Sequence, residues 1–205
     1  MHSVRGYDVL APFYDALGFI VFGKSLYRAQ VEFLGDIPPG SKVLVLGGGT
    51  GRWLREASLR RSNPEITYID SARAMLKRAR TNGQGLGVEF IQDTHEFLKG
   101  DEGYDALIAF CFFDLFDDRA LRDVVDRIGK SMKPRATWLI VDFVSHKWWH
   151  APLLSAMYIF FRIVTGIKNR KLPAWHAVLK ATGLCEKKSR TFYAGFIESG
   201  MWSAC

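Results

Sequence analysis

Residues 43–51 read Val-Leu-Val-Leu-Gly-Gly-Gly-Thr-Gly, an apolar run that ends in glycines. No other stretch constrains the fold as strongly. A buried strand must turn sharply at 47–51, and glycine permits a turn that a Cβ would obstruct. A helix started by that turn would aim its free N–H groups at the crevice beyond the strand ends. The flanking sequence alternates in the same sense. Strand-type runs stand at Lys42–Leu46, 66–70, 88–92, 104–113 and 137–144, and helical patterns at 52–61, 72–82 and 118–132. A short helix at most fits 94–98. Leu121, Val124, Val125, Ile128 and Met132 give the clearest helical stripe. Two helical segments precede this core in 7–34, with Val9, Leu10, Phe13 and Leu17 on one face. Helices at 148–164 and 174–182, then strands at 186–193 and 196–203, follow it. The pattern predicts an α/β protein with a doubly wound, mostly parallel sheet, an N-terminal helical cap and a C-terminal antiparallel hairpin. A single domain of 1–205 is expected: a cap over 1–40, a core over 41–145, and a lid helix with terminal strands over 146–205.

The spacing of the glycines narrows the ligand. A dinucleotide fingerprint needs G-x-G-x-x-G, and neither the frame from Gly47 nor that from Gly49 supplies it. G-x-G-x-G does fit. Asp70 ends the second strand 19 positions after Gly51, where an acid can accept hydrogen bonds from ribose hydroxyls. Ser71 beside it is the expected helix cap. Asp93 and Thr94 end the third strand and read either as a cap or as contacts to a base.

These motifs resemble those of class I S-adenosylmethionine-dependent methyltransferases. The resemblance rests on Gly47, Gly48, Gly49 and Gly51, on the run from Ile69 to Leu76, similar to the family's D-x-S-x-x-M-L, and on the Tyr7–Asp15 stretch, which looks like the opening of quinone-type and related small-molecule members. It implies S-adenosyl-L-methionine as cofactor and a Rossmann-like fold. Asp70 and Ser71 would then meet the ribose, Asp93 and Thr94 the adenine, and Tyr14 would reach the cofactor from the N-terminal helix. Met75 would line the adenine pocket or belong to the helix core. Phe110 and Cys111 would lie beside the cofactor or within the strand core. One departure is plain: the family's acid two residues before the first glycine is Val45 here. The aminopropyl transferases, with V-L-V-x-G-G-G, share that departure.

On the acceptor side the resemblance implies methyl transfer to an oxygen or carbon of a small apolar or aromatic molecule. The fourth strand ends Ala-Phe-Cys-Phe-Phe-Asp at 109–114, without the N-P-P-Y motif of amino-group methyltransferases. Methyl transfer from a sulfonium needs positioning first, and a base only where the nucleophile must lose a proton. Asp142 and His146, at the end of the fifth strand, are the candidate catalytic residues. The alternative function is a non-catalytic cofactor-binding or interaction protein on the same fold.

Charge is unevenly distributed. The formal net charge is +7, and residues 160–190 carry all of it: eight Lys or Arg against Glu186. A basic segment can meet an anionic substrate, a membrane surface or nucleic acid, or be a solvated face. No nucleic-acid motif accompanies it, so a small-molecule acceptor and peripheral membrane contact rank ahead of nucleic acid. The chain is expected to be a monomer or homodimer. Cys111, Cys185 and Cys205 show no metal spacing and no CxxC, and residues 1–6 carry no apolar signal core. No metal and a reduced, cytoplasmic setting are the corresponding expectations.

Overall fold

The computed structural model describes residues 10–166, 169 and 171–205. Val9 of the expected first stripe, Tyr7 and Asp8 of the opening motif, and Lys168 and Arg170 of the basic segment lie outside the described residues.

Strands β1 (Lys42–Leu46), β2 (Glu65–Asp70), β3 (Gly87–Gln92), β4 (Tyr104–Phe110) and β5 (Met132–Phe143) pair in parallel. β6 (Leu184–Phe192) and β7 (Ile197–Ala204) form the terminal hairpin, and β7 inserts antiparallel between β5 and β6. The seven-stranded order is β3-β2-β1-β4-β5-β7-β6. It reverses direction at β1 and β4, which opens a crevice at their carboxyl ends.

Alternation along β1 explains why the sheet is covered twice. Val43 and Val45 join one cluster with Trp53, Tyr68 and Ile108, while Leu44 and Leu46 join the other with Leu121, Val125 and Trp138. A strand buried on both faces reads as a continuous apolar run. Helices α1 (Tyr14–Phe22) and α2 (Ser25–Val31) form the N-terminal cap. α3 (Ala57–Ser62) and α4 (Arg73–Asn82) follow β1 and β2, and α5 (Asp118–Ser131) follows β4. α5 buries Leu121, Val124, Val125 and Ile128, and Asp117 caps it by accepting N–H groups of Arg119 and Ala120 at 3.0 and 2.8 Å. α6 (His150–Thr165) and α7 (Trp175–Ala181) connect β5 to β6.

Five local expectations change. The helix over 52–61 is broken: Arg52–Arg55 forms a 3-10 turn, Glu56 is extended at ψ 132°, and only then does α3 begin. Glu56 is drawn across to α2, where its carboxylate accepts the Tyr27 hydroxyl. Met132, placed on the α5 stripe by periodicity, instead begins β5. Strand β4 stops at Phe110, because Cys111 turns to φ +47° and the chain leaves the sheet. Ser71 does not cap α4. The Asp70 carboxylate accepts the Ala72 N–H at 2.9 Å, so the acid itself closes the turn. Finally, Cys185 and Cys205 are disulfide-bonded across the β6–β7 hairpin, where Cys185 stands opposite Ser203, and Cys111 remains a free thiol. The reading of three scattered reduced thiols therefore fails for two of them, and with it the cysteine argument for a reducing compartment.

Candidate functional site

The crevice widens into a cavity of about 1380 Å³. Its floor is the glycine turn. Gly47 has φ +66°, and a Cβ there would lie 2.8 Å from the Phe110 carbonyl oxygen. At Gly48 a Cβ would fall 2.3 Å from the Tyr68 hydroxyl. The turn is pinned from below: Trp53 Nε1 donates to the Gly48 carbonyl at 3.1 Å and the Tyr68 hydroxyl to that of Gly49 at 2.9 Å. The turn therefore presents backbone, with no side chains, to the crevice.

Tyr14, Gly47, Gly48, Gly49, Asp70, Ser71, Met75, Asp93, Thr94, Phe110 and Cys111 all line this one cavity. Gly51 stands behind the wall, its Cα side packed against Leu54 and Ala79. Met75 does both of the things open to it, since it is buried with Ala11 and Ala72 and also faces the cavity. Asp93 accepts the Thr94 N–H at 2.7 Å, while Thr94 Oγ1 accepts that of Glu96 at 3.2 Å, so Thr94 is the cap of the next turn. His95 stands beside them, its ring edge-on to Phe116 at 5.4 Å.

Val45 is fully buried in the core, so the usual acid is replaced by a packing residue. The cavity-lining acid tied to the turn is instead Asp15, which accepts the Thr50 hydroxyl at 2.7 Å and fastens α1 over the glycines. Sequence reasoning missed this pair, which lies 35 positions apart. Thr50→Val should leave Asp15 without its donor and cost about 1 kcal/mol. With α1 loosened, affinity for S-adenosylhomocysteine is expected to fall about tenfold. Calorimetric titration of both proteins checks this, and equal affinities would remove Asp15 and Thr50 from the site.

Neither candidate catalytic residue lines the cavity. Asp142 is buried beneath it, and its carboxylate accepts the N–H groups of Phe113, Asp114 and Phe143 at 2.9, 3.3 and 2.8 Å. It shapes the turn after β4. His146 is exposed, and its contribution is its backbone N–H, which donates to His150 Nδ1 at 3.1 Å. His150 is the buried member of that loop, and burial lowers its pKa. His176 lies elsewhere, 2.6 Å from Glu198.

The cavity-lining acid in the turn after β4 is Asp114. Its Oδ1 is buried without a hydrogen-bond partner among the described residues. Burial, and then the nearby Asp142 carboxylate, raise its pKa well above the usual range. Asp142 is raised too, by burial, but its three N–H donors oppose the shift and favour its anion. The proton of the pair therefore resides on Asp114. Tyr158 of α6 reaches the Asp114 carbonyl at 3.4 Å, and Phe143, Leu153, Met157 and Phe161 complete an apolar surround. Asp114 lies in the 3-10 turn Phe113–Leu115, just beyond β4.

Comparison with known proteins agrees with this geometry. Residues 43–135 match the family described as methyltransferase domain. The carboxy-S-adenosyl-L-methionine synthase of Nautilia profundicola is 30% identical over 138 residues. Those residues are 66% of this chain and 59% of that protein, so the chain spans about three-fifths of the relative's length. Among solved structures, the complex between the Haloferax volcanii Trm112 methyltransferase activator and a methyltransferase contains a chain that aligns with a TM-score of 0.72 at 14% identity, over 97% of both chains. The DhpI–SAH complex aligns at 0.71 and 19% identity, over 98% of this chain and 95% of the other. The sheet order and the glycine turn over the crevice are similar to those of class I methyltransferases, and the methyltransferase-domain match covers residues 43–135, the strands and turn that build the crevice.

Proposed function

We propose that the chain transfers a methyl group from S-adenosylmethionine to an oxygen or carbon of a small, apolar or aromatic acceptor. One observation carries the reading: a single cavity is lined by the glycine turn and Asp70, by apolar side chains of α6, and by Asp114, whose buried Oδ1 has no hydrogen-bond partner among the described residues. In this reading the 41–145 core holds the cofactor, and the flanking segments 1–40 and 146–205 roof the acceptor and exclude water.

S-adenosylmethionine supplies a methyl group on a sulfonium, a good leaving group that needs no protein acid. Asp70 would accept the ribose hydroxyls and Asp93 and Thr94 would border the adenine, while Asp15 with Thr50 holds α1 over the glycine turn. Phe112 and Tyr158 position the acceptor ring against the Gly47–Gly49 end. For a hydroxyl acceptor, the O–H bond points at Asp114. As the new O–CH₃ bond forms, the proton would pass to Asp114 in its ionised form, the form that rising pH populates, so the protein, not solvent, takes it. Proton transfer to a positioned carboxylate contributes about 10²–10⁴ in rate. The named relative makes a carboxylated cofactor, but an uncompensated acid at the acceptor end disfavours a second carboxylate there and favours a hydroxyl. A small-molecule acceptor is in keeping with the family. The basic segment is the part of this reading that meets an anionic surface.

The test is purified protein with isotopically labelled cofactor and a panel of quinols and phenols, read by mass spectrometry. A methylated product is expected from at least one of them. Tight S-adenosylhomocysteine binding with no transfer to the panel, and none with cell extract, would instead establish a non-catalytic binding protein.

A further inference from the structure

Helices α1 and α6 both border the mouth of the cavity, and both are inverted relative to a water-facing helix. Such a helix normally turns its polar residues outward. On α6 the buried positions are His150, Leu154, Tyr158 and Thr165. The outward ones include Ile159 and Ile163, exposed to 55% and 79%. On α1, Asp15 turns in to Thr50, while Phe19 and Ile20 stand 55% and 79% exposed. Phe19 and Phe160 are exposed and also line the cavity, so they sit at its lip. Trp148, just before α6, is 88% exposed. Large apolar side chains left exposed on two helices that line one cavity mark a binding surface.

Charge identifies the partner. Every charged residue described in 10–31 and in 143–171 is basic, apart from the inward-turned Asp15. Lys24 and Arg28 follow α1, and Arg162 and Lys171 stand at and beyond the end of α6. A second copy of the chain would bring these like charges together across an isologous contact. An anionic bilayer would neutralise them while its acyl region received the isoleucines and phenylalanines. An indole at the start of the helix suits the headgroup level. No helix among the described residues is long and apolar enough to cross a membrane, so the contact is with one face of it.

We propose that α1 and α6 form a membrane-docking face that seats the cavity mouth on an anionic lipid bilayer. The proposal deepens the functional reading, on which it rests for one step only: an apolar acceptor reaches the chamber from the lipid between Phe19 and Phe160. Docking itself is independent of that step and can be measured without cofactor or acceptor.

The test is flotation of the full chain with vesicles of phosphatidylcholine, with and without about 30% phosphatidylserine, in low and high salt. The wild type should float with the anionic vesicles and do so less in high salt. Ile159→Glu with Ile163→Glu should weaken that binding at least about tenfold, as should Ile20→Glu on the other helix. None of these three side chains lines the cavity, so retained S-adenosylhomocysteine affinity certifies the fold. Arg28→Glu with Lys171→Glu should weaken binding to anionic vesicles and leave neutral ones unchanged. Wild-type protein that stays unbound with anionic vesicles overturns the proposal. So does a dimer, seen by light scattering, that the isoleucine variants dissociate while vesicle binding is absent. If docking holds but no acceptor is methylated in vesicles or detergent, the functional reading fails and the docking face stands.

Discussion

Gly48→Ala is expected to weaken S-adenosylhomocysteine binding by at least about a hundredfold and to destabilise the fold by about 1–3 kcal/mol. The new methyl would lie 2.3 Å from the Tyr68 hydroxyl and 2.4 Å from its ring. Tyr68 cannot yield. It is fully buried, packed between Trp53 and Phe90 with ring centroids 6.3 and 5.3 Å away, and its hydroxyl holds the Gly49 carbonyl. The turn must therefore lift into the crevice, where the cofactor would lie. Gly51→Ala is the control that separates the two effects. Its methyl would meet Ala79 and Leu54 at 2.9 Å in a residue with φ +67°, so stability falls by a similar amount. Gly51 does not line the cavity, and its affinity loss should be at least about tenfold smaller than that of Gly48→Ala. Calorimetric binding and denaturant unfolding on both variants decide it. Equal affinity losses would mean that the turn acts through stability alone.

What could be read in advance was local. The apolar run before Gly47 and the stripe Leu121, Val124, Val125 and Ile128 each carry their periodicity within a few residues, and the sheet and α5 formed as expected. The glycine turn likewise announces itself, because few other residues tolerate the geometry at Gly47. What failed was set by contacts across the fold. Nothing near Glu56 signals that Tyr27, 29 positions earlier, will draw it out of a helix. Cys185 and Cys205 look unrelated until the register of β6 on β7 brings them together. Asp142 and His146 do stand at and just past the end of β5, where the sequence puts them. Their partners were invisible: backbone N–H groups from 113 and 114 claim Asp142, and His150 claims the 146 backbone. In the sequence Asp114 follows an apolar run that reads as one strand to Phe113, which hides its place in a turn. The positive φ at Cys111 ends that strand early and swings the next residues toward the cavity.

Asp114→Asn is the variant expected to separate binding from chemistry. The amide is nearly isosteric but cannot take a proton, so kcat/KM for a hydroxyl acceptor should fall by about 10²–10⁴. Affinity for S-adenosylhomocysteine should change by less than about threefold, because this reading assigns Asp114 to the acceptor and not to the cofactor. The pH dependence supplies a second readout. The wild-type rate should rise with pH through an ionisation above the usual carboxylate range, since burial and Asp142 hold the Asp114 proton on. Cys111, Asp142 and Tyr158, which surround it, are raised in the same direction by burial and do not supply a low-pH limb. Stability should move with the opposite sign. The native protein binds this proton more tightly than the unfolded chain, so the Asp114 contribution is fully present below about pH 4 and is lost as pH rises through its native ionisation. Removing the group should therefore leave stability at pH 4 nearly unchanged, and at pH 8 the variant should be the more stable protein. A variant that keeps the wild-type rate and pH profile would place proton removal elsewhere. One that loses rate and cofactor affinity together would make Asp114 a packing residue of the turn after β4, like Asp142 beneath it. Only the combination of a lost alkaline rise, intact cofactor binding and a stability gain at high pH matches a proton acceptor held ready by its own burial.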